Sequence, residues 1–232
     1  MQARYLQIKT AILDNIEAGK MKPGDKVPSE NQLTNTYAVS RMTARRALTE
    51  LVEEGILLRS QGLGTFVSDH RPMSSILTIQ GIHEEIAQRG HQHTSRVIAQ
   101  RKIQATHQTA IWMGVVEQSE LLHSQIVHFE NGLAVQFEDR LVDPCRAPDY
   151  LQQDFTQTTP NQYLNKVAPL TEADHSVEAI LPPQEIATYL DMQPNQACLK
   201  VSRRTFSANG VVSYAQLYHP GDRYRLGGHL DF

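Results

Sequence analysis

Three arginines, Arg41, Arg45 and Arg46, fall within one short stretch, with hydroxyls beside them at Ser40 and Thr43. A guanidinium is a planar fork of donors that matches guanine O6 and N7, or a phosphate. Hydroxyls and free amides at a helix start suit a phosphate oxygen. At about 100° per residue, the run RMTARRALTELVEEG puts Ala44, Ala47, Leu48 and Leu51 on one side and Arg41, Met42, Arg45, Arg46 and Thr49 on the other. Such a helix packs by its apolar face and presents the basic one. Further on, Gly62 and Gly64 lack side chains, so the backbone there can approach a sugar-phosphate rail or a minor groove. The chemistry of this set is the reading of base edges in a major groove, with anchorage on flanking phosphates.

The elements that must position these groups are legible around them. Leu6, Ile8, Ile12, Leu13 and Ile16 recur at helical steps from Ala3 to Ala18, and Gly19 ends that helix. KMKPGDKVP is turn-rich. Ser29 with Gln32 has the spacing of a capping box and opens a second helix through Leu33 and Tyr37. Ser40 caps the third, arginine-bearing helix, which runs to Gly55. ILLRSQGLGTFV reads as a hairpin, with Leu57 and Arg59 on one strand, Thr65 and Val67 on the other, and Gln61-Gly62-Leu63-Gly64 at the tip. This is the order of a winged helix-turn-helix, placed at residues 1–69. Charge balance alone would not point there. Residues 1–70 hold nine Lys/Arg against eight Asp/Glu, and the remainder 13 against 17. The argument lies in the clustering of positive charge at one end of one helix.

After Val67 the polar stretch SDHRPMSS reads as a linker, set at residues 70–77. Residues 78–232 then mix strands with short helices. LHSQIVHFENGLAVQFEDRLV forms a hairpin turning at Asn131-Gly132, PPQEIATYLDM a helix, and LKVSRRTFSANGVVSYAQLYH a second hairpin turning at Asn209-Gly210. The expected class is α+β, a winged helix-turn-helix followed by a largely antiparallel sheet domain.

Other chemistries find less support. His91, His93, His123 and His128 lack a Cys or carboxylate at ligand spacing, which argues against zinc. Ser202 and Ser213 have no nucleophile-elbow context, and no phosphate-cradling glycine loop occurs. The expectation is no enzyme, no metal and no cofactor. Two cysteines, Cys145 and Cys198, are too few for a disulfide framework and read as buried small hydrophobes in a reducing cytoplasm. The N-terminus has no apolar signal core, and no apolar run approaches the roughly 20 residues that cross a bilayer.

The stretch VPSENQLTNTYAVSRMTARRALTELVEEGILLRSQGLGTFV resembles the N-terminal domain of the GntR family of bacterial transcription regulators. The match covers residues 3–68 and rests on Pro28-Ser29-Glu30, Leu33, Ser40-Arg41, Thr43, Arg45, Ala47-Leu48, Leu51, Gly55, Gly62 and Gly64-Thr65. The resemblance implies that Glu30, Arg41, Thr43, Arg45 and Gly62 face DNA. Asn31 stands where many members carry Arg.

Residues 75–228 resemble the effector-binding (UTRA) domain of the family's HutC branch, which has a chorismate-lyase-like fold. Fold likeness to a lyase does not carry catalysis. LLHSQIVHFENG, QFEDR, APLTEADHSVEAILP and LYHPGDRYRLGG are similar to the branch members that govern histidine utilisation and answer urocanate. The resemblance implies binding to double-stranded operator DNA and release by a small effector; a homodimer is expected from operator symmetry, which mirrors a two-fold protein. It places Gly81, Ile82 and His83 at a ligand-binding helix start, and His128 and Glu138 on central strands. Thr159, Asn161, Tyr214 and Tyr218 match further lining positions. Many relatives carry Arg where Ile126 and His128 stand here, to hold a phosphate or sugar acid. A flatter, smaller ligand than an amino-sugar phosphate, the alternative effector, is therefore expected. Glu138 could accept from an imidazole N–H, and His128 or Arg140 could meet a carboxylate. Glu138, Asp139 and Arg140 could instead form ion pairs along a strand, His128 could be a satisfied half-buried histidine, and Tyr214 and Tyr218 read at least as readily as core or rim residues as ligand contacts.

Overall fold

The structure is a computed structural model that describes residues 4–60, 62–69, 73–75 and 80–227. It divides into two compact units, residues 1–70 and 71–232.

In the first unit, α1 (Arg4–Glu17), α2 (Glu30–Tyr37) and α3 (Arg41–Glu53) precede the strands β1 (Leu57–Ser60) and β2 (Gly64–Val67). Ser29 and Gln32 form the capping box at the start of α2, and the Ser40 side chain accepts from the Thr43 amide at the start of α3. The two helices meet at Ala38, in the left-handed region at φ 48° and ψ 50°. Ile8 and Ile12 of α1, Leu33 of α2, and Ala44, Ala47, Leu48 and Leu51 of α3 share one core with Val27, Leu57 and Val67. Burying that apolar stripe turns the opposite face of α3 outward. β1 and β2 pair antiparallel, and residues 62 and 63 form the described part of the turn. Gly64, expected at the tip, instead begins β2 opposite Ser60, and Gln61 lies outside the described residues. The turn-rich stretch also adds to this sheet, because Lys26 bridges Phe66 and Val27 donates to the Thr65 carbonyl.

The second unit is built on a six-stranded antiparallel sheet. Its strands are β4 (His93–Gln104), β5 (Glu120–Glu130), β6 (Leu133–Val142), β7 (Glu172–Ile180), β8 (Cys198–Ser207) and β9 (Gly210–Pro220), in the order β4-β5-β6-β9-β8-β7. Asn131 (φ 49°) and Gly132 (φ 84°) supply the two left-handed residues of the β5–β6 hairpin turn. Helices cover both faces. α6 (Pro160–Val167) and Tyr150 and Phe155 before it pack on Ile126, while α5 (His107–Met113) and α7 (Gln184–Tyr189) pack on the other side against Leu141 and Phe137. α4 (Ile82–Gln88) contributes Ile82 and Ile86 to a smaller cluster with Val135.

Two expectations need correction. Within the stretch read as a polar linker, Met73–Ser75 forms β3, which pairs parallel with β10 (Arg225–Gly227); residues 70–72, 76 and 77 lie outside the described residues. A partner strand from the far end of the sequence overrides a local polar composition. Cys198 is buried, but Cys145 is exposed. It sits in the turn after β6, where its amide is taken by the Asp143 carboxylate, and so reaches no core.

Candidate nucleic-acid interface and effector cavity

At the start of α3 the Ser40 and Thr43 hydroxyls lie 2.8 Å apart beside the helix amides. The Arg41 side chain is 74% exposed, and Arg45 is exposed and makes no hydrogen bond or ion pair among the described residues. Neither is drawn into the body of the protein, so both stand available to an anionic groove. Glu30 lies behind Arg41, its carboxylate 3.1 Å from the Arg41 Nε and 4.0 Å from the Arg59 Nη2. It thus tethers the guanidiniums of α3 and β1 in one cleft of about 410 Å³, lined also by Lys26, Asn31, Gly62 and Gly64. Lys26 crosses Gly64 so closely that a Cβ there would stand 2.7 Å from its side chain. Gly62 (φ 78°) has open space around it. Arg46 departs from the set. Its guanidinium lies 3.9 Å over the Tyr5 ring and donates to Glu50 at 2.8 Å, tying α3 to α1. Lys26 and Arg59 were not singled out from sequence. The strand alternation would have found Arg59, whereas Lys26 needed the bridge to Phe66 that only the structure shows.

In the second unit, β-register decides which side chains share a face, because neighbours two apart point the same way. Glu138 pairs with Ile126 on one side and Leu217 on the other. Gln136, Glu138 and Arg140 of β6 therefore share a face with Leu217 and His219 of β9 and with Val201 and Arg203 of β8. These residues floor a cavity of about 30 Å³, closed by Gly81 and Ile82 at the start of α4, Thr159 and Asn161 at the start of α6, and Tyr224 and Leu226 near the end of the chain.

Inside, Arg140 donates from Nε to Glu138 at 2.6 Å and from Nη1 to the Ser213 hydroxyl at 2.9 Å. The His128 Nε2 stands 3.5 Å from the other Glu138 oxygen, and its Nδ1 is 3.0 Å from His93 Nε2. Burial alone would raise the Glu138 carboxyl, but the Arg140 cation and the His128 ring outweigh it and hold it at about 2. Burial, with His128 and His83 nearby, pushes His93 down to about 4. His219 is likewise pushed by burial to about 3, stacks on Tyr224 at 3.8 Å, and places Nδ1 3.1 Å from the Val135 carbonyl.

Of the residues singled out from sequence, the structure brings Gly81, Ile82, Glu138, Arg140, Thr159 and Asn161 to this cavity. His83 points instead to His93, at 3.4 Å between their Nδ1 atoms. His128 is fully buried behind Glu138 and braces it. Tyr214 and Tyr218 are corrected outright. Tyr218 pairs with Phe137 and Tyr214 with Leu141, so both lie on the opposite face of the sheet. There Tyr214 stacks on Trp112 and Tyr218 packs with Phe137. Glu85, Gln136, Arg203, His219 and Tyr224 line the cavity but were missed. The period of two would have found Gln136 beside Glu138; Arg203 and His219 needed the strand order.

No group of three or more His, Cys, Asp or Glu among the described residues could hold a metal ion. No described helix is long and apolar enough to cross a membrane.

Comparison with known proteins agrees with both units. Residues 4–67 match the model of the bacterial regulatory proteins of the gntR family, and residues 88–225 match the UTRA domain. The chain is 46% identical to the histidine utilization repressor of Pseudomonas putida, over 97% of this chain and 90% of that one. It is 43% identical to the histidine utilization repressor of Klebsiella aerogenes, over 97% and 93%. The crystal structure of the C-terminal domain of the histidine utilization repressor from Pseudomonas syringae pv. tomato superposes at a TM-score of 0.59 with 44% identity, covering 61% of this chain and all of that one. PhnF from Mycobacterium smegmatis shares the fold at a TM-score of 0.69 and 21% identity, over 95% and 98%. The chain belongs to the gntR family of bacterial regulatory proteins, in the branch that carries a UTRA domain and includes the histidine utilization repressors.

Proposed function

We propose that this protein represses histidine-utilisation genes as a homodimer on a near-palindromic operator, and that urocanate in the second unit's cavity releases it. The first unit binds DNA by α3, with Arg41 and Arg45 toward base edges and Ser40, Thr43 and the wing backbone toward phosphates. A two-fold dimer presents two such helices to successive major grooves. The observation that carries the reading is similarity to histidine utilization repressors along the whole chain, effector unit included.

The cavity's chemistry supports the effector. Urocanate has a planar imidazole and a conjugated carboxylate, and the cavity offers acceptors, guanidiniums and an aromatic wall at Tyr224. The alternative effector, an amino-sugar phosphate, lacks its expected anchor, because Ile126 and His128 are both fully buried and neither is an arginine. Release requires that the ligand prefer the state that binds DNA poorly, a coupling of about 1–3 kcal/mol. The test is one operator-release assay by fluorescence anisotropy with urocanate and N-acetylglucosamine 6-phosphate side by side. Release by urocanate alone is expected; release by the sugar phosphate alone overturns the effector assignment.

A further inference from the structure

Two polar groups in the cavity have no partner among the described residues, and they are of opposite kinds. The first is the Gln136 carbonyl. His219 Nδ1 faces the Val135 carbonyl at 3.1 Å, so that nitrogen carries the ring proton and Nε2 bears the lone pair. Nε2 is 3.2 Å from the Gln136 Nε2, which donates to it. The amide orientation is thereby fixed, and Gln136 Oε1 is left buried with no hydrogen bond among the described residues. The second is Arg203. Its Nε is buried with no partner, and the guanidinium makes no hydrogen bond or ion pair among the described residues. Arg140, the other cavity arginine, is already neutralised by Glu138. Burial, and then the Arg140 cation, act against the Arg203 charge, with Tyr224, Glu85 and Glu138 offsetting them only in part.

A buried acceptor, and a half-buried guanidinium whose Nε is buried without a partner, each lose solvation without return unless something arrives to pair with them. We infer that Gln136 Oε1 accepts the effector's ring N–H and Arg203 binds its carboxylate, so that these two residues set the effector's class and orientation. The inference rests on the urocanate reading given above.

Spacing agrees. Arg203 pairs with Ala215 and Glu138 with Leu217, so Gln136 and Arg203 sit two strands and four residues apart, on either side of Leu217. That is about 16 Å between backbones. Both side chains rise from the same face of the sheet over one cavity, so a single elongated ligand with an N–H at one end and an acid at the other can meet both. A ligand with an acid but no N–H leaves Gln136 unsatisfied, and one with an N–H but no acid leaves Arg203 so.

The experiment is calorimetric titration of the full chain with three probes: urocanate, its methyl ester and cinnamate, which keeps the acid but replaces the imidazole by phenyl. Wild type should prefer urocanate to each analogue by about tenfold or more. Arg203→Met should abolish the preference over the ester while keeping that over cinnamate. Gln136→Met should do the reverse. Arg203→Lys should retain the preference for the acid, a pattern that misfolding does not produce, and thermal melts report whether each variant is folded. Wild-type indifference to urocanate overturns the effector reading itself. Wild-type binding with unchanged preferences in the folded variants overturns only the assignment of Gln136 and Arg203.

Discussion

Glu138→Gln should weaken the second unit much more than any effector-contact role would require. The carboxylate it removes is buried, bonded to Arg140 at 2.6 Å and flanked by His128 at 3.5 Å. Replacing it leaves the Arg140 cation buried without its anion, with Arg203 lining the same cavity. Removing one partner of a buried pair costs about 3–5 kcal/mol. Against a typical domain stability of about 5–15 kcal/mol, that is a large fraction. For a unit of this size each kcal/mol moves the melting midpoint by about 2–4 °C, so a fall of about 6–20 °C is expected. Arg140→Met in the same chain removes the stranded cation, so Glu138→Gln with Arg140→Met should regain most of the loss. The assay is thermal unfolding of the full chain by circular dichroism, following the transition of the sheet unit. A single variant that melts within a degree of wild type would refute the reasoning, as would a double variant no more stable than the single.

The other predictions are narrower. Arg45→Ala should weaken operator binding by about 1–3 kcal/mol and lower its salt dependence, because an exposed, uncommitted guanidinium is removed; anisotropy titrations at several salt concentrations check both. Ala38→Gly should stabilise the first unit by about 0.5–1 kcal/mol, since Ala38 occupies the left-handed region at the end of α2; an unchanged or lower urea midpoint would contradict it. Acid should loosen the second unit in two stages. His93 and His219 are held near 4 and 3, below the ordinary 6.5, so the stability they confer is full above 6.5 and falls as pH drops toward those values, by up to about 1.4 kcal/mol per unit for each. Glu138, held near 2 rather than 4.5, adds a further loss below 4.5. Urea midpoints should stay level from pH 8 to about 6.5 and decline from there to 4; a flat profile down to pH 4 would remove the histidines from the account.

The first unit was legible because its signals are local. Ser29 with Gln32 and Ser40 with Thr43 are contacts over three residues, and the buried stripe Ala44–Leu51 repeats within one helix. The second unit was legible only in part. Its hairpin turns were readable, and the class followed from them. Which hairpin lies beside which was not, and that decides the site: β6 of the first hairpin neighbours β9 of the second across a long stretch of sequence. Tyr214 and Tyr218 were assigned to the cavity without their register, and the pleat puts them on its far side. Arg46, expected on the DNA face by its position on the helix, is 61% exposed and is also engaged by the Tyr5 ring and Glu50.

The cavity's small volume has a mechanical corollary. About 30 Å³ is room for two or three waters at most, far less than a ring bearing an acid side arm needs. Occupation must therefore push some wall outward. Tyr224 and Leu226 form one such wall, and among the described residues the β10 that carries Leu226 pairs with β3 over three residue pairs. Its partner there is β3, and β3 lies just beyond residue 70, where the chain passes from one unit to the other. A swelling binding site would therefore bear on a strand pair that ties the start of the second unit's sequence to its end.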